Sequence, residues 1–216
     1  MATNPRYFGD LSEWKKKTKQ WIDLSAEKGE NLIDIYTFLD FRAVYGSETI
    51  EETLRSHVIA TLKNNAVSLR MLARPIVSIP IPLGFFKNFV VEKNGKYKNM
   101  VNIKINGLLP LITCVKLLAF HAEVTEVNTL ERIKKLTEKS IIPTDQSESI
   151  EQAFETFLGF KIYNNLNSID QGRDFSNNIN PTLLGTKQKQ LLKDSFLAVS
   201  EIQKLTKEVL RVVDQQ

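Results

Sequence analysis

From residue 48 onward, apolar side chains recur at helical spacing: Ile50, Leu54, Val58, Leu62 and Leu69 form the first such series. That period lines one face of a helix but would scatter over both faces of a strand. It predicts a long helix over 48–73 that Pro75 stops, then helices over 109–122, 130–139, 147–166 and 186–213. Asn128 or Thr129 would cap the third of these helices and Ser147 the fourth. The chain is therefore committed to a mainly α fold.

Two segments break the pattern. Pro80, Pro82 and Gly84 lead into FFKNFVVEKNGKYKNMVNIKI, two β-prone runs joined by Asn94-Gly95, which predicts an inserted β-hairpin. A polar loop over 167–185 holds Asn177, Asn178, Asn180 and Pro181. Ahead of the helical series, residues 11–26 place Leu11, Trp14, Trp21 and Ile22 on one side and Lys15, Lys16, Lys17 and Lys19 around the other. This is an amphipathic helix with Asp10 or Ser12 as its cap. Residues 32–44 are rich in aromatic and branched side chains, and their second half reads as a strand. The expected architecture is a bundle of four to five helices with an inserted β-hairpin and an N-terminal helix-strand appendage, the division falling between 1–46 and 47–216.

With 216 residues the chain can bury a sizeable core, and 42% hydrophobic with 25% charged residues excludes a disordered or collagen-like composition. A net charge of +4 suits phosphate-bearing ligands without demanding them. Cys114 is the only cysteine, which excludes an intramolecular disulfide and a cysteine-built metal site. Its apolar neighbours in LLPLITCVKLLAF mark it as a buried, inert thiol. The longest apolar run, 108–115, falls far short of the roughly 20 residues a membrane helix needs. No leader pattern opens the sequence, and the expected setting is the cytoplasm, away from membranes.

Motifs for chemistry are sparse. Gly46-Ser47 has the form of a phosphate-loop start, but the Asp-x-Asp pair that would hold a divalent metal occurs nowhere in the sequence. Glu48, Glu51 and Glu52 suit the first turn of a helix, where carboxylates oppose the positive end of the dipole. His57 and His121 stand more than sixty residues apart, without acidic neighbours at ligand spacing. In TFLDFRAVYGS, strand alternation would put Asp40 and Arg42 side by side on one face. They would form either a structural ion pair worth at most about 1 kcal/mol or a metal-binding carboxylate kept ionised by the adjacent guanidinium.

Several blocks, in order, carry a family resemblance: NPRYFGDLSEWKKKTKQWI, FLDFRAVYGSETIEETLR, IPLGFF, VNIKINGLLPLI, VNTLERIKKL and NNINPTLLG. Together they resemble the C-terminal substrate-binding domain of nucleotidyltransferases related to the PII-protein uridylyltransferases, which often carry cyclic-nucleotide-binding and CBS modules. The resemblance implies that a nucleotidyltransferase domain with the Gly-Ser and Asp-x-Asp motifs acts upstream or in trans. Residues 1–46 would then be its C-terminal remnant and residues 47–216 the helical substrate-binding domain. Asp40 would be the third active-site carboxylate and a magnesium ligand, with Arg42, Lys104 and Arg132 contacting the nucleotide phosphate or an acidic acceptor. Magnesium would enter only with the missing catalytic domain, and this chain alone would bind none. Its partners would be a nucleoside triphosphate and a protein or small-molecule acceptor. The chain departs from the family pattern at Asn102, where an acid is usual, at Lys116, where arginine is frequent, and in FKIYNNL, which lacks the usual arginine and glutamine.

Because catalysis by two metals needs clustered carboxylates, the chain by itself should carry no transferase activity. Two other readings stand beside this one. The chain could be a stand-alone helical partner of a separate minimal nucleotidyltransferase. Alternatively it could be a basic helical module for nucleic acid, whose binding would weaken steeply with salt; the core-like spacing of the aromatic residues disfavours that last reading.

Overall fold

The computed structural model describes residues 7–28, 35–36 and 38–213. Among them are seven α-helices, α1 (Leu11–Lys28), α2 (Glu48–Lys63), α3 (Ala66–Val77), α4 (Leu109–His121), α5 (Thr129–Glu138), α6 (Thr144–Asp170) and α7 (Thr186–Val209). Two short strands, β1 (Val101–Asn102) and β2 (Asn178–Ile179), complete the elements that position the site. The fold is mainly α, as the spacing predicts.

The caps follow local chemistry. The Asp10 carboxylate accepts from the Glu13 amide at 2.8 Å, and the Glu13 carboxylate accepts from the Asp10 amide at 3.0 Å, closing a reciprocal cap on α1. The Asn128 side chain accepts from the amides of Leu130 and Glu131, as expected at the start of α5. α6 begins three residues earlier than the expected cap. Ser147 is buried inside its first turn, and its hydroxyl donates to the Thr144 carbonyl.

The single helix expected over 48–73 is two helices. The chain breaks at Asn64 and Asn65, and the Asn65 side chain accepts from the Ser68 amide at 3.1 Å to start α3 anew. Pro75 lies inside the last turn of α3, where little helix remains for its missing N–H to disrupt, and the helix ends at Val77.

The expected strand around Asp40 is also corrected. Leu39 donates its amide to the Ile35 carbonyl at 2.9 Å and Phe41 to Phe38 at 3.1 Å, so the segment coils in helical turns. Tertiary stacking overrides the β preference of its aromatic residues. Phe38 stacks on Trp14 at 5.0 Å and on Phe41 at 4.8 Å, and it meets Trp21 edge-on. Alternation therefore does not hold, and Asp40 and Arg42 do not share a sheet face. The first half of the predicted 32–44 segment lies partly outside the described residues.

An antiparallel two-stranded element is present, but its strands come from distant parts of the chain. Val101 pairs with Ile179 and Asn102 with Asn178. The Asn94-Gly95 segment closes a tight loop through Glu92–Met100 and Asn99–Glu92 backbone hydrogen bonds, with Gly95 at φ +76°. Immediately after β1 comes one π-helical turn, Lys104–Leu108, in which the Leu108 amide reaches back five residues to Ile103. It leads directly into α4.

α4 is the axis of the molecule. Every residue from Leu117 to Phe120 is buried, as are Leu111, Cys114 and Val115, and the helix packs against α2, α3, α5, α6 and α7. The apolar window 104–121 is long and apolar enough to cross a membrane by length and composition, but 67% of it is buried inside the fold, as a core helix requires. One hydrophobic cluster joins α4 to α5, α6 and α7 through Phe157, Phe196 and Ile133. A second joins Trp21, Ile22 and Leu39 to Leu62, Leu72, Leu117 and Val212, so residues on both sides of the boundary expected at 46 and 47 share one core.

Cys114 lies in the first of these clusters with no exposed surface, and burial pushes its thiol up to about 12. The unfolded thiol ionises several units lower. Protonation is thus favoured in the folded state, and the associated stability is complete below the unfolded value and declines as pH rises from about 9 to 12. We expect Cys114 to resist alkylation in the native protein and to react at once in denaturant; rapid native labelling, read by mass spectrometry, would contradict its burial.

Candidate functional site

The side chain of Lys116 comes from the middle of the most apolar helix. It is the only charged residue between positions 108 and 120, and it is 6% exposed. A buried ammonium needs a counter-charge, because desolvation otherwise costs several kcal/mol. Arg132, in the first turns of α5, is still more enclosed at 2% exposed. Both converge on one carboxylate, that of Asp40, whose side chain is 40% exposed. One Asp40 oxygen accepts from the Arg132 guanidinium at 3.0 Å and the other contacts the Lys116 ammonium. The Nε of Arg132 donates to the Glu126 carbonyl at 2.7 Å, fixing the guanidinium plane. Burial lowers the Arg132 pKa, and the Asp40 charge opposes that fall.

A second charged group adjoins this one. Arg55, on α2, donates to the Phe41 carbonyl and to the Glu51 carboxylate, both at 2.5 Å, and its guanidinium lies 4.6 Å from the Phe41 ring centre. Glu51 also accepts from the Ala43 amide; that bond first, and Arg55 second, hold its carboxyl below the usual range. The short stretch 40–43 is thus tied down at both ends, by Asp40 to α4 and α5 and by Phe41 and Ala43 to α2. Asp40 is in ion-pair contact with two cations, while Arg55 and the Glu126 carboxylate also act on Arg132.

The four residues singled out in the sequence separate here. Asp40 and Arg132 meet directly, although 92 positions apart in the chain. Arg42 is exposed and points no ion pair at Asp40; its charge contributes to the low carboxyl of Glu51. Lys104 is exposed on the π turn, and its backbone amide, not its ammonium, is held by the Asn102 side chain. Lys116, noted in the sequence only as a departure from a family pattern, belongs to the cluster. Its signal was a lone lysine in an apolar run, and Arg55 and Glu51 gave no comparable one.

As it stands, the donor set around Asp40 does not fit a magnesium ion. Both carboxylate oxygens already face cations, and no group of three or more histidine, cysteine or acidic side chains able to hold a metal occurs among the described residues. Two fixed cations sharing one partly exposed carboxylate have the donor chemistry that holds anionic oxygens, here those of Asp40 itself.

A separate cavity of about 790 Å³ opens between the C-terminal half of α6, the loop leading into β2 and the loop before β1. It shares no lining residue with the Asp40 cluster. No curated protein matches the sequence and no solved structure does. Residues 66–210, more than half of the chain, match the model of the family described as putative nucleotidyltransferase substrate binding domain. The match takes in α3 to α7 and two of the three residues of the ion cluster, Lys116 and Arg132, and by it the chain belongs to that family.

Proposed function

We propose that this chain presents substrate to a nucleotidyltransferase active site whose metal-binding carboxylates lie in another domain, covalently upstream or in trans, of the type that serves PII-like signalling proteins in the cytoplasm. Family membership supports the substrate-binding role, and the absence of Asp-x-Asp from the sequence supports catalysis from elsewhere. The observation that carries the reading is the excess of cations at Asp40, where Lys116 and Arg132 share a single carboxylate. In the free protein Asp40 satisfies both. When substrate arrives, a phosphate group competes for the same two cations, and Asp40 is the chain's own placeholder for it. Arg42, exposed beside the cluster, extends the positive surface toward the incoming anion, while Lys104 lies on the separate π turn and is left with a peripheral electrostatic role.

The purified chain, incubated with magnesium and each labelled ribonucleoside triphosphate, should release no pyrophosphate and label no acceptor. Metal-dependent release that tracks the chain through purification would overturn the division of labour proposed here.

A further inference from the structure

The 790 Å³ cavity has the size of a ligand site and a lining of a particular chemistry. Two of its aromatic rings are left in water, Tyr163 at 63% exposed and Phe175 at 67%. Exposed rings that face a concavity mark a surface built to be covered. Beside them Asn167 and Gln171 present amides that make no side-chain hydrogen bond among the described residues; each amide can donate and accept at once. The cations Lys96 and Arg173 also line the cavity, against the single acid Asp174.

The walls are held in place independently of any ligand. Gly172, at φ +58°, ends α6 in a left-handed turn, with its amide donating to Ile169 at 3.1 Å and the Arg173 amide donating to Ser168 at 2.8 Å. This closure fixes the direction in which the chain carries Arg173 away from the helix. The Asn164 amide then donates to the Ser176 carbonyl at 2.6 Å, pinning the following loop back onto α6. Opposite, the Lys96 ammonium lies 5.8 Å from the Tyr97 ring centre.

We infer that this cavity binds a nucleoside phosphate. A flat heteroaromatic ring stacks on Tyr163 and Phe175, as bases do on exposed aromatic side chains. Its polar edge meets the Asn167 and Gln171 amides, and its phosphate meets Arg173 and Lys96, the former offering a planar fork of donors. No simpler class uses all three features. A bare anion leaves the rings uncovered, and an apolar ligand leaves the amides and cations unmatched. The site does not depend on the transferase reading, which rests on different residues.

Calorimetric titration of the full chain with the four ribonucleoside monophosphates, their parent nucleosides and inorganic phosphate tests this. At least one monophosphate should bind saturably, and more tightly than its nucleoside or inorganic phosphate by about tenfold or more. Binding should be lost in Tyr163→Ala, retained in Tyr163→Phe and weakened in Arg173→Ala. Both positions are exposed, so the variants should fold, and circular dichroism checks that they do. Binding should be unchanged in Lys204→Ala, an exposed position on α7 outside both the cavity and the ion cluster. Absence of saturable binding by any monophosphate, equal binding of inorganic phosphate, or unaltered binding in both Tyr163→Ala and Arg173→Ala would overturn the assignment.

Discussion

Gly107→Ala should destabilise the protein by about 3 kcal/mol, the upper end of what one added methylene costs in a filled core. The added Cβ would lie 2.8 Å from two ring atoms of Phe157, well inside contact distance. The ring has nowhere to go. Phe157 has no exposed surface, and it packs on Phe196 with 5.1 Å between ring centres. Nor can the backbone retreat easily, since Gly107 sits in the π turn whose Asn106 side chain donates to the Pro80 carbonyl at 3.0 Å and whose end is the start of α4. For a chain of this size, such a loss lowers the melting temperature by roughly 6–12 °C. Phe157→Leu in the same background should recover part of it by freeing the space. Equal stability of Gly107→Ala and the native chain in urea unfolding would mean that the turn and α6 are less closely packed than described.

The second large effect concerns Asp40. Removing one partner of a buried ion pair costs about 3–5 kcal/mol, because the other charge stays buried and uncompensated. Here two cations lose their carboxylate in Asp40→Ala, but Asp40 is itself 40% exposed, and water can enter where it stood. The expected loss is therefore about 2 kcal/mol. Lys116→Met removes the cation with no carbonyl support of its own, so Asp40→Ala with Lys116→Met should be less destabilised than Asp40→Ala alone. Additive losses in this double-mutant cycle would show that the two side chains do not interact.

The helices from residue 48 onward were legible because each buries a stripe, and a stripe has a period. The break at Asn64 and Asn65 was not, because α2 and α3 carry apolar residues on both sides of it, Leu62 and Leu69 among them, that fall in the same core cluster. The aromatic run around Asp40 escapes local reading for a different reason. Phe38 and Phe41 have the composition of a strand, and only the partners of Phe38 on α1, Trp14 and Trp21, with its stack on Phe41, reveal a helical turn. Long-range pairing defeated local reading again at β1, whose partner lies past α6 rather than across Asn94-Gly95.

The site divides in the same way. Asp40 drew notice as a charge in an apolar run, and Lys116 bears the same signature, yet nothing local says that two such residues meet. Arg132 entered through the resemblance of VNTLERI to a family motif, and its burial beside Ile133 and Leu136 is a tertiary fact. The cavity lining draws on a loop that reads only as polar in the sequence, and on α6 residues whose exposure no period reveals, because Tyr163 has the composition of a core residue.

The central claim is that Asp40 occupies a phosphate-binding pair of cations instead of serving as a metal ligand. Titrating inorganic triphosphate into the native chain and into Asp40→Asn, without divalent metal, tests it most directly. If Asp40 competes with the anion, its neutralisation leaves Lys116 and Arg132 open, and triphosphate should bind about tenfold more tightly, equivalent to about 1.4 kcal/mol. Weaker binding in Asp40→Asn, or tight binding to the native chain that requires magnesium and vanishes in the variant, would contradict the claim and restore the carboxylate to the metal.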